Sequence, residues 1–308
     1  MKKLIITIDT EGDNLWAWKS GQPIGTENTL FLERFQKLSN EYGFYPTWLT
    51  NWEMVNDDRY VTLMSKYAQD SKCEIGMHLH AWNMPPEYKL DSHELSGNPY
   101  LIEYPTEIME EKIALMTDTI RDRFGITPTG HRAGRWAMND EYFTLLAKYG
   151  YKVDCSHTPG IDWSECVGQT PDFAGPDYRN VPRVPTVING ILEVPVTTIH
   201  SNRYIRCDGN DIKSLLRPFK RMINGETLWL RPDGENIYRM LYLMKENMKS
   251  DSDYLMFMIH SSELMPGGSP TFRTEESIEK LYKDLEVLFG TLAKNYEGIT
   301  LSGYADMR

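Results

Sequence analysis

Short apolar runs alternate with segments whose apolar residues recur at helical spacing, and this βαβα rhythm constrains the fold more than any other feature of the chain. Residues 4–9 form a strand pattern, followed by 29–42, where Leu30, Phe31, Phe35 and Leu38 share a helical face and Gly43 ends the helix. Residues 46–51 pair with a helix at 58–69, and 74–80 with a long amphipathic helix at 105–124 that starts on Pro105. A strand at 129–132 leads to a helix running from Asn139, its N-cap, to Tyr149. After a strand at 151–155 the periodicity lapses over 158–185, a stretch rich in Pro, Gly and Asp that reads as an insertion loop. Strands at 191–198, 254–259 and 299–301 follow, separated by helical material up to Lys249 and by a helix over 275–295. Nothing divides residues 1–308, so the pattern predicts a single barrel domain of seven or eight βα units.

Composition narrows the function. A net charge of −11, with no Lys/Arg-rich segment to offset it, argues against a nucleic-acid partner. The apolar run at 4–8 is interrupted at once by Asp9, Glu11 and Asp13, too soon for a signal-peptide core or a transmembrane segment. Cys73, Cys155, Cys166 and Cys207 have no CxxC spacing and read as small buried or partly buried thiols in a reducing compartment. The expectation is a cytoplasmic protein. Eight Trp hint at sugar stacking, although core packing is the commoner use of the residue.

Active sites of α/β barrels lie at the C-terminal ends of the strands, and four groups of residues fall there. Asp9, Glu11 and Asp13 gather three carboxylates where the first strand gives way to its loop. Such a cluster is either a solvated acidic turn or is neutralised by a cation. His78 and His80 stand two apart, so strand alternation turns both imidazoles to one side. Two imidazoles and a carboxylate make a zinc-like site with an open position, whereas a structural pair is the plainer reading. Arg132, in Gly130-His131-Arg132-Ala133-Gly134-Arg135-Trp136, brings a permanent cation able to orient a carboxylate. His260 ends the strand at 254–259 and is placed to act as a general acid. Trp82, Arg135 and Trp136, and with them Trp163, are candidate substrate contacts.

In order and spacing these motifs resemble the polysaccharide deacetylases of the NodB-homology type, carbohydrate esterase family 4, over nearly the whole span from Asp9 to His260. Thr7-Ile8-Asp9-Thr10 is similar to the family's Thr-Phe-Asp-Asp, which implies Asp9 as general base. Thr10 occupies the place of a metal-binding Asp, a role that passes to Glu11 or, alternatively, Asp13. Glu74-Ile75-Gly76-Met77-His78 matches the second motif, with Trp82 where a second histidine is expected and His80 as its substitute. The third motif is retained at Arg132, and Met258-Ile259-His260 resembles the family's Leu-x-His, which implies His260 as catalytic acid. The resemblance implies a distorted (β/α)7–8 barrel holding a divalent metal: zinc first, with cobalt, nickel or manganese as alternatives. It further implies removal of an N-acyl group from an amino-sugar or glycan substrate. The expected location inside the cell, and not the resemblance, points to an intermediate of polysaccharide assembly. Two other readings stand beside it. One is hydrolysis of another small amide or formyl group on the same barrel, which a closed rather than groove-like pocket would favour; the other is glycan binding without catalysis.

Overall fold

Strand alternation sorts side chains between two environments. In β1 (Lys2–Thr10), Leu4, Ile6 and Ile8 pack into the large core shared with the helices, while Ile5 belongs to a second, inner core and Thr7 and Asp9 share its parity. The computed structural model describes residues 1–13, 15–19, 22–90, 98–170, 173–209 and 212–308. The further strands are β2 (Thr47–Thr50), β3 (Glu74–Leu79), β4 (Gly130–Ala133), β5 (Val153–Asp154), β6 (Thr186–Ile188), β7 (Ile191–Glu193), β8 (Thr198–Ser201), β9 (Glu226–Trp229), β10 (Tyr254–His260) and β11 (Tyr296–Ile299). The helices are α1 (Leu32–Glu41), α2 (Trp52–Val55), α3 (Asp58–Gln69), α4 (Thr106–Phe124), α5 (Asp140–Lys148), α6 (Ile212–Asn224), α7 (Ile237–Lys249), α8 (Glu275–Leu292) and α9 (Leu301–Ala305).

The main sheet runs β10-β1-β2-β3-β4-β5-β7-β6, parallel throughout except for β6, with β11 beside the first half of β1. β8 and β9 form a separate antiparallel pair that reaches β10 through a parallel bridge between Leu230 and Phe257. The result is a curled, incompletely closed barrel with helices outside, as the βαβα rhythm predicts. Local chemistry sets the helix ends. Asp57 accepts the N–H groups of Arg59 and Tyr60 to start α3, Asn139 accepts that of Tyr142 to start α5, and Gly125, at φ 69°, stops α4. Outside the sheet Phe35 packs against Trp48, Phe257 and Phe289, joining α1, β2, β10 and α8.

Several sequence expectations are corrected. The strand expected at 191–198 is two, because Pro195 has no N–H for a ladder; β7 ends at Glu193 and β8 begins at Thr198. The supposedly helical stretch before Lys249 contains β9. The last strand is β11, and Thr300 caps α9 by accepting the Gly303 N–H. Leu30 lies in a 3-10 turn, Glu27–Phe31, ahead of α1 and is exposed rather than on the buried face. The 158–185 loop is irregular, with isolated bridges Asp162–Asp177 and Val167–Ala174; its residues 171–172 lie outside the described residues. All four cysteines are free, and Cys166 is exposed in that loop rather than buried. Among the described residues no helix is long and apolar enough to cross a membrane.

Candidate active site

Parallel register assembles the site. Asp9 on β1 is level with His260 on β10, and His78 on β3 is level with Arg132 on β4. All four belong to inward-facing positions at or near the C-terminal ends of their strands. Glu11 lies one residue past β1, where Ser261 and Asn28 hold its backbone: its carbonyl accepts from Asn28 Nδ2 (2.7 Å) and Ser261 Oγ (2.9 Å). His80 lies just past β3, its N–H donated to Asn51 Oδ1 at 3.3 Å.

Glu11, His78 and His80 are buried, and they form a group that could hold a metal ion. Their Nε2 and Oε2 atoms make a triangle with sides of 2.9 Å (His80–Glu11), 3.0 Å (His78–His80) and 3.7 Å (His78–Glu11). Ligand atoms about 2.0–2.1 Å from a four-coordinate ion stand about 3.3–3.4 Å apart, so the triangle has the size such an ion requires. The orientation agrees: His78 Nδ1 donates to the Arg132 carbonyl at 2.9 Å, which turns Nε2 toward the other two groups. Burial would lower the His78 pKa, but Asp9 and Glu11 outweigh it and raise it, so an ion in the triangle would take the place of the Nε2 proton. Burial raises the Glu11 carboxyl, but the neighbouring His260, His78 and His80 outweigh it and hold the pKa well below the usual carboxylate range. Burial, helped by the charge of His78, pushes His80 down to about 4, so its imidazole is a neutral donor. The residues present therefore fit a divalent ion. Asp13, the alternative ligand, lies apart from this group: its carboxylate accepts the Glu27 N–H (2.5 Å) and the Asn28 N–H (3.3 Å) at the start of the 3-10 turn. Thr10 turns its hydroxyl to the Ile8 carbonyl.

Arg132 is wholly buried inside the barrel. It donates to Asp9 Oδ1 (2.5 Å), Thr7 Oγ1 (2.8 Å) and the Cys155 carbonyl (3.1 Å), with its guanidinium 5.0 Å from the Trp136 ring centroid. Burial would raise the Asp9 pKa; Arg132 first, then His78 and His260, bring it below the ordinary value. Asp9 Oδ2 remains 3.7 Å from His260 Nε2, which is also 3.8 Å from Glu11 Oε1. The other ring nitrogen, Nδ1, is 3.2 Å from Glu263 Oε2 and 3.1 Å from Arg231 Nη2. Arginine only donates, so its contact requires a bare Nδ1; a protonated Nδ1 is oriented by Glu263 instead.

A cavity of about 300 Å³ opens over these groups, walled by Trp16, Trp82, Tyr100, Trp136, Trp163 and Arg231 among others. Trp82 packs on His80 with ring centroids 4.2 Å apart, and Trp136 and Trp163 stack at 6.3 Å. Arg135 lines the cavity too, but its guanidinium donates to the carbonyls of Asn98 and Val167 and lies over Tyr100, so it ties the 158–185 loop to the barrel rim. Arg135 and Trp136 adopt left-handed backbone, φ 55° and 66°, unusual for non-glycine residues in succession.

Sequence reasoning missed Trp16, Arg231 and Glu263. Glu263 carried a signal, since it follows His260 by three residues, the capping-box spacing, and the backbone N–H of His260 does donate to it at 2.9 Å. Arg231 follows the unforeseen β9, and Trp16, whose ring meets His260 at 5.0 Å, sits in a loop without periodicity.

No protein-family profile matches the chain, and no curated protein matches it in sequence. Solved structures do. A protein of Mycobacterium smegmatis described as a polysaccharide deacetylase superposes with a TM-score of 0.54 at 14% identity, covering 99% of this chain and 90% of that one. A Parabacteroides distasonis protein described as a glycoside hydrolase/deacetylase reaches a TM-score of 0.61 at 8% identity, covering 99% and 71%. The chain has the fold of the NodB-type polysaccharide deacetylases. At these identities the likeness concerns the fold, and the chemistry rests on the site.

Proposed function

We propose that this protein is a metal-dependent hydrolase that removes an N-acyl group, acetyl in the first instance, from an amino-sugar substrate. The observation that carries the reading is the buried Glu11–His78–His80 triangle directly beside the Asp9–Arg132 pair and His260. Glu11, His78 and His80 would hold the ion, with zinc the first candidate for a donor set of two imidazoles and one carboxylate. A divalent ion held there supplies Lewis acidity toward the acyl oxygen and the attacking water. Asp9 accepts the proton of that water through Oδ2, because Oδ1 is engaged by Arg132. Arg132 keeps the carboxylate ionised and oriented. His260, held at Nδ1 by Glu263, delivers a proton from Nε2 to the departing amine. The Trp-rich wall offers faces for a sugar ring.

The 158–185 loop contributes Trp163 and Cys166 to one wall of the cavity, and its anchoring by Arg135 keeps that wall in place. The cavity volume is at the lower end of the range for small-ligand pockets, about 300–1,000 Å³. Both points favour a single terminal or free amino-sugar unit over the interior of a polymer, and by the same token keep a small amide as the second reading. The decisive experiment has two parts. Elemental analysis should find about one divalent ion per chain, lost in a folded His78→Ala, His80→Ala variant. With the metallated enzyme, Asp9→Asn and His260→Ala should each lower the rate of acetate release from N-acetylated amino sugars by on the order of 10²–10⁴-fold. A wild type that takes up no zinc, cobalt, nickel or manganese, or variants that retain full rate, would sink the proposal.

A further inference from the structure

Helix α6 is inside out. Amphipathic helices of globular proteins turn the apolar face to the core, whereas α6 rests on the body through Ser214 and Pro218. Ser214 and Arg217 reach Glu235, and Arg221 pairs with Glu226. Ile212, Leu215, Leu216, Phe219 and Ile223 are 51–76% exposed, and Met222 is exposed beside them. At about 100° per residue these six fall within an arc of about 120°. Lys213 and Lys220 border that arc and are exposed. Tyr204, also exposed, extends the apolar surface by packing against Phe219 at 5.0 Å.

Charge decides what covers this face. The chain as a whole carries −11, yet residues 203–224 hold Arg203, Arg206, Lys213, Arg217, Lys220 and Arg221 against Asp208 and Asp211, a balance of 6 − 2 = +4 along the sequence. Arg217 and Arg221 are paired with Glu235 and Glu226, so Lys213 and Lys220 are the cations left beside the apolar arc. The sequence expectation that no basic segment offsets the acidic chain is corrected here; the basic residues are spaced along a helix rather than contiguous and so escape notice as a run. An apolar face bordered by Lys, on a helix with no acidic residue, has the chemistry of an interfacial helix. Such a helix lies in the headgroup plane of a bilayer with its apolar side chains in the acyl boundary and its cations on anionic lipid. A second copy of the chain would bring the same lysines face to face.

We propose that α6 docks this protein on an anionic membrane surface. The inference rests on α6 alone and is independent of the reaction at the site. The test is co-sedimentation of the full chain with vesicles of phosphatidylcholine and phosphatidylglycerol. The wild type should bind the mixed vesicles on the order of tenfold more tightly than phosphatidylcholine alone, and the difference should shrink with salt. Leu216→Glu, Phe219→Glu should abolish binding and Lys213→Glu, Lys220→Glu should remove the preference for anionic lipid, both with unchanged circular dichroism and thermal midpoint, since these side chains are exposed. A Phe219→Trp reporter should be quenched by brominated lipids in the mixed vesicles. The proposal is overturned if the wild type ignores anionic vesicles, if the double-glutamate variant still binds, or if the wild type forms a dimer that this variant dissociates without any lipid binding.

Discussion

Each polar residue of the site is held by a partner whose removal has a calculable consequence. Arg132 and Asp9 form an ion pair inside the barrel, with side chains 0% and 3% exposed. Arg132→Ala would leave a buried carboxylate without compensation, and urea denaturation should register a loss of about 3–5 kcal/mol. Glu263 is a second case. Burial would raise its pKa, but Arg231 and His260 bring it down to about 2 from an ordinary 4.5. A carboxylate whose folded pKa is depressed contributes stability that is full above the ordinary value and is lost as pH falls toward the folded one. Glu263→Gln should therefore flatten the dependence of stability on pH between 4.5 and about 2, measured by denaturant titration at each pH. The histidine pair shows what residue identity and spacing alone convey. His78 and His80 were legible from their separation because the strand period is two; Arg231 was not, because its place depends on β9, whose pairing partner lies across the chain at β8.

At the level of elements, the site depends on how closely β4 and its following turn approach β3. A Cβ at Gly134 would lie 2.5 Å from the Leu79 carbonyl oxygen and 2.8 Å from His80 Nδ1, so only glycine lets the two strand ends come together. Gly134→Ala should displace the His80 ring and weaken metal affinity by on the order of 10–100-fold, the usual scale for disturbing what orients a ligand, in titration with a competing chelator. Failure of the substitution to change affinity would mean that the ring is not held against β4. The elements with strong periodicity, β1, α3, α4, α5, β10 and α8, were all anticipated within a few residues. Those that were not are short: β8 and β9 are four residues each. Helix α6 falls within the helical material expected before Lys249, but the solvent-facing direction of its apolar arc is not something a periodic pattern conveys.

For the whole molecule, an ion that binds only the folded state adds to its stability by an amount that grows with the logarithm of its affinity. Stripping the protein with a chelator should lower the thermal midpoint by several degrees, with recovery on returning zinc and no such shift in the His78→Ala, His80→Ala variant; scanning calorimetry of the four samples decides it. Periodicity and motif spacing were enough to read the architecture and the candidate residues at the barrel mouth. Parallel βα units leave a strong two-phase periodicity, and the C-terminal strand ends are where a parallel barrel gathers its polar side chains. Tertiary structure decided the rest. It separated Glu11 from Asp13 as the carboxylate beside the imidazoles, because Ser261 and Asn28 hold one backbone in place while the start of the 3-10 turn consumes the other side chain. It also brought Arg231 to His260 and turned the apolar face of α6 outward. These outcomes depend on contacts between segments well separated in the chain, which leave no local period to read, whereas Glu263 reaches His260 across three residues.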